Sequence, residues 1–195
     1  MKYLIVYSHP NPKSFNHAIK EVLLNELEAL GQEVRVRDLY AHDFDPVLRA
    51  SDFQSFHEGI IPEDIKAEQG HISWAEEIIF IFPIWWTGLP AILKGYIDKV
   101  FSLNFAYSYG AQGPKGLLPD KKVFIINTTG SPQEAYEKTG MFKSLNQTVE
   151  DGIFRFCAMP ITGHKYFSSV ITCSDQERKA MLAEVKQIAK RLVSR

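Results

Sequence analysis

Three short stretches, each placed after or at the end of a run of apolar residues, carry the side chains that could do chemistry. They are SHPNPKSFNHA (residues 8–18), PIWWTGLPA (83–91) and TTGSPQEAY (128–136). In the first, Ser14 and Asn16 stand at a predicted helix start, where free backbone N–H groups and the helix dipole favour an anion such as phosphate. Ser14 would serve equally well as a helix N-cap alone, because the lysine of a P-loop motif is absent.

The second stretch places two adjacent tryptophans on a turn. Successive side chains of an extended chain point to opposite sides, so Trp85 and Trp86 cannot both enter the same core. We therefore expect at least one of them on the surface of the loop. Exposed tryptophan usually marks a partner surface or a flat ligand, because its face offers stacking and broad apolar contact.

The third stretch combines small hydroxyl side chains with a glycine. Ser131, Pro132 and Glu134 predict a capping box with proline at the first helical position. Thr128, Thr129 and Gly130 are left over, and glycine allows close approach of the backbone to a ligand. Tyr136 falls in the first turns of the next helix, where packing is the commoner role for a tyrosine.

Apolar runs and helical stripes alternate along the chain. Tyr3–Tyr7, Ile78–Phe82 and Val123–Asn127 are apolar enough for central parallel strands covered on both faces. Val34–Leu39 predicts a more polar strand near an edge, and Tyr166–Thr172 a fifth strand. Helical stripes follow, ending at Gly31, starting at Pro90, and starting at the capping box Ser174 to Glu177.

Repeated strand and helix units with short loops predict a parallel sheet with helices on both faces, with ligands at the carboxyl ends of the strands. All three stretches would then meet as loops at one edge of the sheet. A planar ring system that carries a phosphate would use all of them.

Composition bounds the other possibilities. A chain of 195 residues, 45% hydrophobic, predicts one domain over residues 1–195, and a net charge of −1 gives no reason to expect nucleic acid or an anionic membrane. The uncharged stretch 78–93 is shorter than the roughly 20 residues of a spanning helix. Two cysteines without CxxC spacing, no signal-peptide pattern and no metal-ligand spacing among the histidines predict a cytoplasmic protein without a metal.

Four segments together resemble one family closely. HPNPKSFNHA, DLYAHDFDPVL (38–48), PIWWTGLPAILKGYIDKVF (83–101) and TTGSPQEAY are similar to the flavodoxin-like NAD(P)H:quinone oxidoreductases, from Met1 to about Phe167. That family includes bacterial quinone reductases, modulators of drug activity and ancillary subunits of glutathione-gated potassium efflux systems. The resemblance implies a doubly wound, five-stranded flavodoxin-like sheet.

The resemblance also implies a flavin site, residue by residue. One group matches positions that hold the phosphate and ribityl chain, a second the segment along the isoalloxazine ring, and a third the loop along its other edge. Tyr136 matches a tyrosine near the pyrimidine end of the ring, and Gln69 a glutamine near the cofactor. The three groups are His9, Ser14, Phe15 and Asn16; Pro83, Ile84, Trp85 and Trp86; and Thr128, Thr129, Gly130 and Ser131.

The implied reaction is a pair of hydride transfers, from NAD(P)H to the flavin and from the flavin to a quinone or similar acceptor. Tyr136 would donate a hydrogen bond to the reduced ring. FMN is favoured over FAD. Better-known members have a histidine six positions after the tyrosine that assists protonation of the quinone, whereas this chain has Phe142. The acceptor therefore takes its protons from solvent, or a different acceptor is used.

The resemblance leaves partners and function class open. It implies a homodimer in which the segment 105–116, FAYSYGAQGPKG, covers the active site. A soluble reductase is favoured over an ancillary subunit docked on a potassium efflux transporter, for which the sequence offers no support. A flavodoxin-type electron carrier fits least, since such carriers tend to be strongly acidic and this chain is nearly neutral.

Overall fold

The computed structural model describes residues 1–195, with a five-stranded parallel sheet at its centre. The strands of this sheet are β1 (Lys2–Tyr7), β2 (Glu33–Asp38), β3 (Glu77–Pro83), β6 (Lys122–Thr128) and β7 (Ile161–Phe167), while β4 (Tyr107–Gly110) and β5 (Gly113–Gly116) form a separate antiparallel hairpin. Along the sheet the order is β2-β1-β3-β6-β7, with all neighbours parallel. This is the strand order of flavodoxin-like sheets. The predicted doubly wound fold is confirmed.

Helices cover both faces of the sheet, as predicted. Helices α1 and α7 bury their apolar stripes on one face, and α3, α4 and a π-helix bury theirs on the other. None of the helices is both long and apolar enough to cross a membrane. The helices are α1 (Phe15–Ala29), α2 (Ala50–His57), α3 (Glu63–Trp74), α4 (Ala91–Val100), α5 (Gln133–Thr139), α6 (Met141–Asn146), which continues into the π-helix (Gln147–Arg155), and α7 (Asp175–Val193).

Burial explains which strands were readable from the sequence. Strand β3 is buried at every position, and β1 at every position but its first, because neighbouring strands flank each of them and helices cover both faces. Strand β2 stands at one edge of the sheet and is partly exposed along its length. Its polar sequence correctly predicted that edge position.

Helix ends follow the predicted capping chemistry in three places. Ser14 precedes α1 and accepts the N–H of His17 at 3.1 Å. Ser174 accepts the N–H of Glu177 at 3.2 Å, while the Glu177 carboxylate accepts the N–H of Ser174 at 2.6 Å, so the capping box of α7 is confirmed. Helix α1 ends just before Gly31, whose φ of 74° favours glycine.

The fifth strand is displaced from its prediction. It spans Ile161–Phe167 rather than Tyr166–Thr172, so the two ranges share only two residues. Thr162, His164 and Lys165 dilute its apolar pattern, which a partly exposed edge strand can tolerate. Ser169 has a φ of 57°, a left-handed conformation that ends the extended chain after Phe167.

Gly95 of α4 packs so closely against Pro46 that there is no room for a side chain. A Cβ added to Gly95 would lie 2.1 Å from the carbonyl oxygen of Pro46. We expect Gly95→Ala to lower the free energy of unfolding by about 3 kcal/mol or more, because backbone must move to relieve the overlap. Gly70→Ala is the matched control: it lies exposed in α3 with nothing within 4 Å, and should add about 0.5 to 1 kcal/mol. Urea unfolding of both variants checks this, and equal effects would contradict the packing described.

Candidate functional site

The loop between β1 and α1 presents hydrogen-bond donors at a helix start. His9 accepts the N–H of Asn11 on Nδ1 at 3.0 Å, and the Asn11 side chain accepts the N–H of Lys13 at 2.8 Å. Burial lowers the pKa of His9 below the ordinary histidine value, so the neutral ring keeps its proton on Nε2. A neutral Nε2–H donor and the free N–H groups at the start of α1 together suit an anion.

Asn16 links this loop to the end of β6. Its side chain is almost completely buried, and Nδ2 donates to Oγ1 of Thr128 at 2.7 Å. Its Oδ1 is also buried and has no hydrogen-bond partner within the chain. A buried acceptor without a partner is costly, so this oxygen calls for a donor from a molecule in the cleft.

The loop after β3 is a tight turn and not an extended segment. Trp85 and Gly88 exchange both backbone hydrogen bonds, at 3.1 and 3.0 Å. Trp86 and Thr87 between them take φ values of 48° and 56°, as the two central residues of a type I′ turn do. Trp86 is consequently fully exposed and Trp85 is 40% exposed. The prediction of at least one surface tryptophan is confirmed, and the turn places both of them there.

Hydrogen bonds made by Thr129 hold the loop after β6 in place. The N–H of Thr129 donates to the carbonyl of Phe167 at 2.9 Å, and its hydroxyl donates to the carbonyl of Ser131 at 2.9 Å. The predicted capping box at Ser131 and Glu134 is wrong, because α5 begins at Gln133 and Pro132 stands at its N-cap without a capping side chain. The Ser131 side chain is therefore left free to face the cleft.

These three loops enclose one cleft of about 700 Å³ at the carboxyl ends of the strands. His9 and Trp85 meet across it, with ring centroids 5.5 Å apart. All but two of the predicted site residues line it. Those lining it are His9, Ser14, Phe15, Asn16, Pro83, Ile84, Trp85, Trp86, Thr128, Gly130, Ser131 and Tyr136.

Two predicted residues do not line the cleft. Thr129 is buried, and its hydroxyl braces the loop from within. The prediction for Gln69 is wrong: its amide donates to the carbonyl of Val100 and to the hydroxyl of Ser102, both at 3.0 Å. Gln69 therefore ties α3 to the end of α4 and the segment after it through its amide nitrogen, and does not line the cleft.

Four cleft residues were missed in the sequence: Asn11, Val170, Ile171 and Arg178. Arg178 is the notable one, because it brings a permanent positive charge to a cleft that suits an anion. Its guanidinium donates to the carbonyls of Val170 and Cys173, which holds it at the start of α7. A correct end for β7 would have revealed it, since residues 168–174 then form a fourth loop at the same edge of the sheet.

Tyr136 is half-buried at the cleft and packs onto an aromatic stack behind it. Its ring centroid lies 5.2 Å from that of Phe142, which lies 4.5 Å from that of Tyr166. Phe142 is therefore a packing residue and does not line the cleft. Among the residues lining the cleft, His9 and Tyr136 are the side chains with an exchangeable proton suited to acid chemistry.

The segment 105–116 lies away from this cleft within one chain. It forms the hairpin of β4 and β5, and Tyr107 packs against Phe156 with ring centroids 5.3 Å apart. Tyr107 and Tyr109 line a separate, mainly apolar groove of about 320 Å³. No three His, Cys, Asp or Glu side chains are arranged to hold a metal ion in this groove or elsewhere.

Comparison with known proteins places this geometry in context. Residues 1–192 match a family model described as a flavodoxin-like fold. An uncharacterized NAD(P)H oxidoreductase of Haemophilus influenzae is 39% identical over 187 residues, covering 93% of this chain and 91% of that protein. A ribosyldihydronicotinamide dehydrogenase [quinone] of Homo sapiens is 33% identical over 206 residues, covering 95% and 89%. The solved structure of an NAD(P)H:quinone oxidoreductase from Methanothermobacter marburgensis superposes with a TM-score of 0.90 at 25% identity, covering 98% of each chain.

Proposed function

The chain belongs to the flavodoxin-like family that includes NAD(P)H:quinone oxidoreductases, and on that premise we propose that it is a flavin-dependent NAD(P)H oxidoreductase that reduces quinones. The observation that carries the proposal is the cleft itself. It joins an anion-binding helix start to an aromatic wall at the carboxyl edge of the sheet. Few ligand classes other than a phosphorylated planar ring would use both ends.

The residues present fit a flavin mononucleotide. The unpartnered Oδ1 of Asn16 would accept from a ribityl hydroxyl, and the N-terminus of α1 with Ser14 would hold the phosphate. Arg178 would neutralise part of the phosphate charge from across the cleft. When bound, the flavin supplies the two-electron chemistry, accepting a hydride from NAD(P)H and passing one to the acceptor.

The protein's own work is to bind and orient. Pro83, Ile84 and Trp85 form one side of the cleft. Thr128 lies buried at the floor, already engaged by Asn16. Tyr136 would donate its hydroxyl proton in a hydrogen bond to the negative charge that develops on the reduced ring.

FMN is the proposed cofactor and FAD the alternative. The phosphate-binding features of the cleft account for one phosphate group, and the single arginine of the cleft serves it. The proposed acceptor is a quinone, which would take its protons from solvent because Phe142 stands inside the aromatic stack.

A second copy of the chain is the proposed partner. The mainly apolar groove lined by Tyr107 and Tyr109 lies beside Phe156, which is itself 38% exposed. Tyr109 in the same groove is 69% exposed, and an exposed apolar patch of this kind marks an interaction site. A homodimer would cover this surface, and sedimentation equilibrium would measure it.

The cofactor proposal is tested by flavin retention. The purified protein is incubated separately with FMN and with FAD, free flavin is removed, and the visible spectrum is recorded. We expect stoichiometric retention of FMN. Retention of FAD alone would mean that FAD is the cofactor. Retention of neither flavin would contradict the proposed function.

The role of Tyr136 is tested by removing its hydroxyl. We expect Tyr136→Phe to slow flavin reduction by NAD(P)H by up to about tenfold, the worth of one hydrogen bond. Stopped-flow absorbance measures this step. Tyr3→Phe is the control, because Tyr3 lies buried near the amino-terminal end of the sheet with its hydroxyl on Met1. Unchanged rates of both half-reactions in Tyr136→Phe would make Tyr136 a packing residue.

A further inference from the structure

A chain of buried polar groups lies directly behind the cleft. Nδ1 of His164 on β7 lies 2.9 Å from the Glu150 carboxylate of the π-helix, and Nε2 lies 2.7 Å from Oδ1 of Asn127 on β6. Both titratable side chains are almost fully enclosed, with 6% of the His164 and 9% of the Glu150 side chain exposed. Burying a carboxylate and an imidazole is costly, so this chain needs an account beyond packing.

The Asn127 amide has its orientation set by two backbone carbonyls. Nδ2 donates to the carbonyl of Phe82 at 3.0 Å and lies 3.3 Å from that of Ile126. Turning the amide over would point Oδ1 at both carbonyl oxygens. Oδ1 therefore faces His164, and Nε2 of His164 must carry the proton that it accepts.

This orientation fixes how many protons the His164 and Glu150 pair holds. With Nε2 protonated, the contact between Nδ1 and the carboxylate requires one more proton, on either the ring or the acid. Without this extra proton, the one proton left on the ring would move to Nδ1, where it donates a hydrogen bond to the Glu150 carboxylate. Nε2 would then need a donor, and Asn127 could supply one only by turning over and releasing Phe82.

The carbonyl that would be released stands at the edge of the cleft. Phe82 immediately precedes Pro83, and Asn127 immediately precedes Thr128, both cleft residues. Ile84 continues the attachment, since its N–H donates to the carbonyl of Thr128 at 2.8 Å. The same histidine also stacks on Tyr166, at 4.1 Å between ring centroids, in the aromatic stack behind Tyr136.

We propose that Glu150, His164 and Asn127 are positioning residues of the flavin site, which hold the start of the Pro83–Trp86 segment through the Phe82 carbonyl only while the pair carries its extra proton. The proposal rests on the flavin-binding function proposed above. As pH rises and the proton is lost, Asn127 turns, the Phe82 carbonyl loses this side-chain hydrogen bond and flavin binding weakens. Glu150 and Asn127 act through the backbone and touch no substrate.

The surroundings of His164 leave Glu150 as the partner that controls this proton. Arg155 pairs with the other carboxylate oxygen of Glu150 at 3.0 Å and also with Asp151, all on the π-helix. Tyr166 on β7 stacks on the ring, with its own hydroxyl donated to Asn146 at 2.8 Å. On β6 the facing group is the neutral Asn127. Burial lowers the pKa of His164, and the neighbouring Glu150 carboxylate opposes this shift. His164 therefore loses its proton at a pH below the ordinary histidine pKa.

Glu150→Gln separates this network from simple packing. A glutamine at this position can donate to Nδ1, so a neutral His164 would keep Nε2–H on Asn127 at every pH. We expect the ratio of wild-type to Glu150→Gln dissociation constants for FMN to rise about fivefold to tenfold between about pH 5.5 and about pH 8. The ratio cancels the titration of the FMN phosphate and of His9. Riboflavin, which lacks the phosphate, should give the same ratio.

His164→Leu and Asn127→Leu are the complementary variants. Asn127→Leu cannot hold the Phe82 carbonyl, so it should bind FMN about tenfold more weakly than Glu150→Gln at both pH values. His164→Leu leaves the Asn127 amide on that carbonyl, so its FMN affinity relative to Glu150→Gln should not change with pH. Fluorescence quenching of the flavin measures all four proteins. A pH-independent ratio of wild type to Glu150→Gln, or FMN binding by Asn127→Leu as tight as that of Glu150→Gln, would overturn the proposal.

Two measurements on the flavin-free protein keep the proposal testable if flavin does not bind. Imidazole ¹⁵N spectra should show His164 with Nε2 protonated at about pH 5.5, and hydrogen exchange of residues 82–86 should be more protected in Glu150→Gln than in wild type at about pH 8. A bare Nε2 at the lower pH, or equal protection, would reject the network. Failure of wild type to bind any flavin would reject the proposed function instead.

Discussion

Replacing Asn16 with aspartate is expected to weaken FMN binding by about a hundredfold or more. Asn16 is 3% exposed and its unpartnered oxygen lines the cleft, so a carboxylate there would stand in the region proposed for the phosphate and ribityl chain. Two like charges in contact repel by about 4 kcal/mol at an effective dielectric constant of about 20. The Thr128 hydroxyl can donate to the new carboxylate, so the link between α1 and β6 survives.

Asn25→Asp is the matched control for this charge. It makes the same isosteric change on an exposed position of α1 and should leave FMN affinity within about twofold, because solvent screens the charge. Isothermal titration calorimetry at one ionic strength compares the two, with thermal unfolding to confirm that both are folded. Equal affinities for Asn16→Asp and wild type would place the phosphate end of the ligand elsewhere.

Charge reversal at Arg178 is expected to have an effect of similar size. Arg178 brings the one permanent positive charge among the residues lining the cleft, and its backbone hydrogen bonds to Val170 and Cys173 hold it there. Arg178→Glu should weaken FMN binding by about a hundredfold or more, because attraction for the phosphate becomes repulsion. Riboflavin binding should change much less, since that ligand lacks the phosphate.

Lys179→Glu provides the comparison, as it reverses an exposed charge one residue further along α7. We expect it to change FMN affinity by no more than about twofold at physiological salt, where exposed charges are screened. Fluorescence titrations with FMN and riboflavin separate the two residues. An equal loss for both ligands in Arg178→Glu would mean that Arg178 supports the loop and does not serve the phosphate.

The fold and most of the cleft were predictable because the signals are local. Fully apolar strands, helical stripes and short loops place the loops after β1, β3 and β6 at one edge of a parallel sheet. The resemblance then assigned individual residues along those loops. What these signals describe is backbone position, which is why cleft-facing residues such as Asn16 and Tyr136 were found.

The failures arise where long-range packing decides. Gln69 resembles a cofactor ligand by position, yet its amide donates instead to the carbonyl of Val100 and the hydroxyl of Ser102, from a distant segment. Arg178 was missed because an edge strand that contains His164 and Lys165 has no clear apolar period, so its end was misplaced. The type I′ turn at Trp86 was invisible for another reason: tryptophan and threonine seldom occupy left-handed conformations.

The buried network was beyond sequence reasoning for a related reason. Its three members come from β6, the π-helix and β7, and nothing in their spacing links them. A histidine on a partly apolar strand is more often a satisfied structural residue. Only the orientation of the Asn127 amide reveals that this one is tied to the cleft through Phe82.

One anaerobic titration tests whether this cleft holds a flavin that carries electrons from NAD(P)H to a quinone. Protein reconstituted with FMN is followed by visible absorbance while NADPH, and then menadione, is added in stoichiometric amounts. We expect the flavin absorbance to bleach with one equivalent of NADPH and to return fully with one equivalent of menadione. A bound flavin that NADPH and NADH both leave oxidised, or that stays reduced after menadione is added, would contradict it.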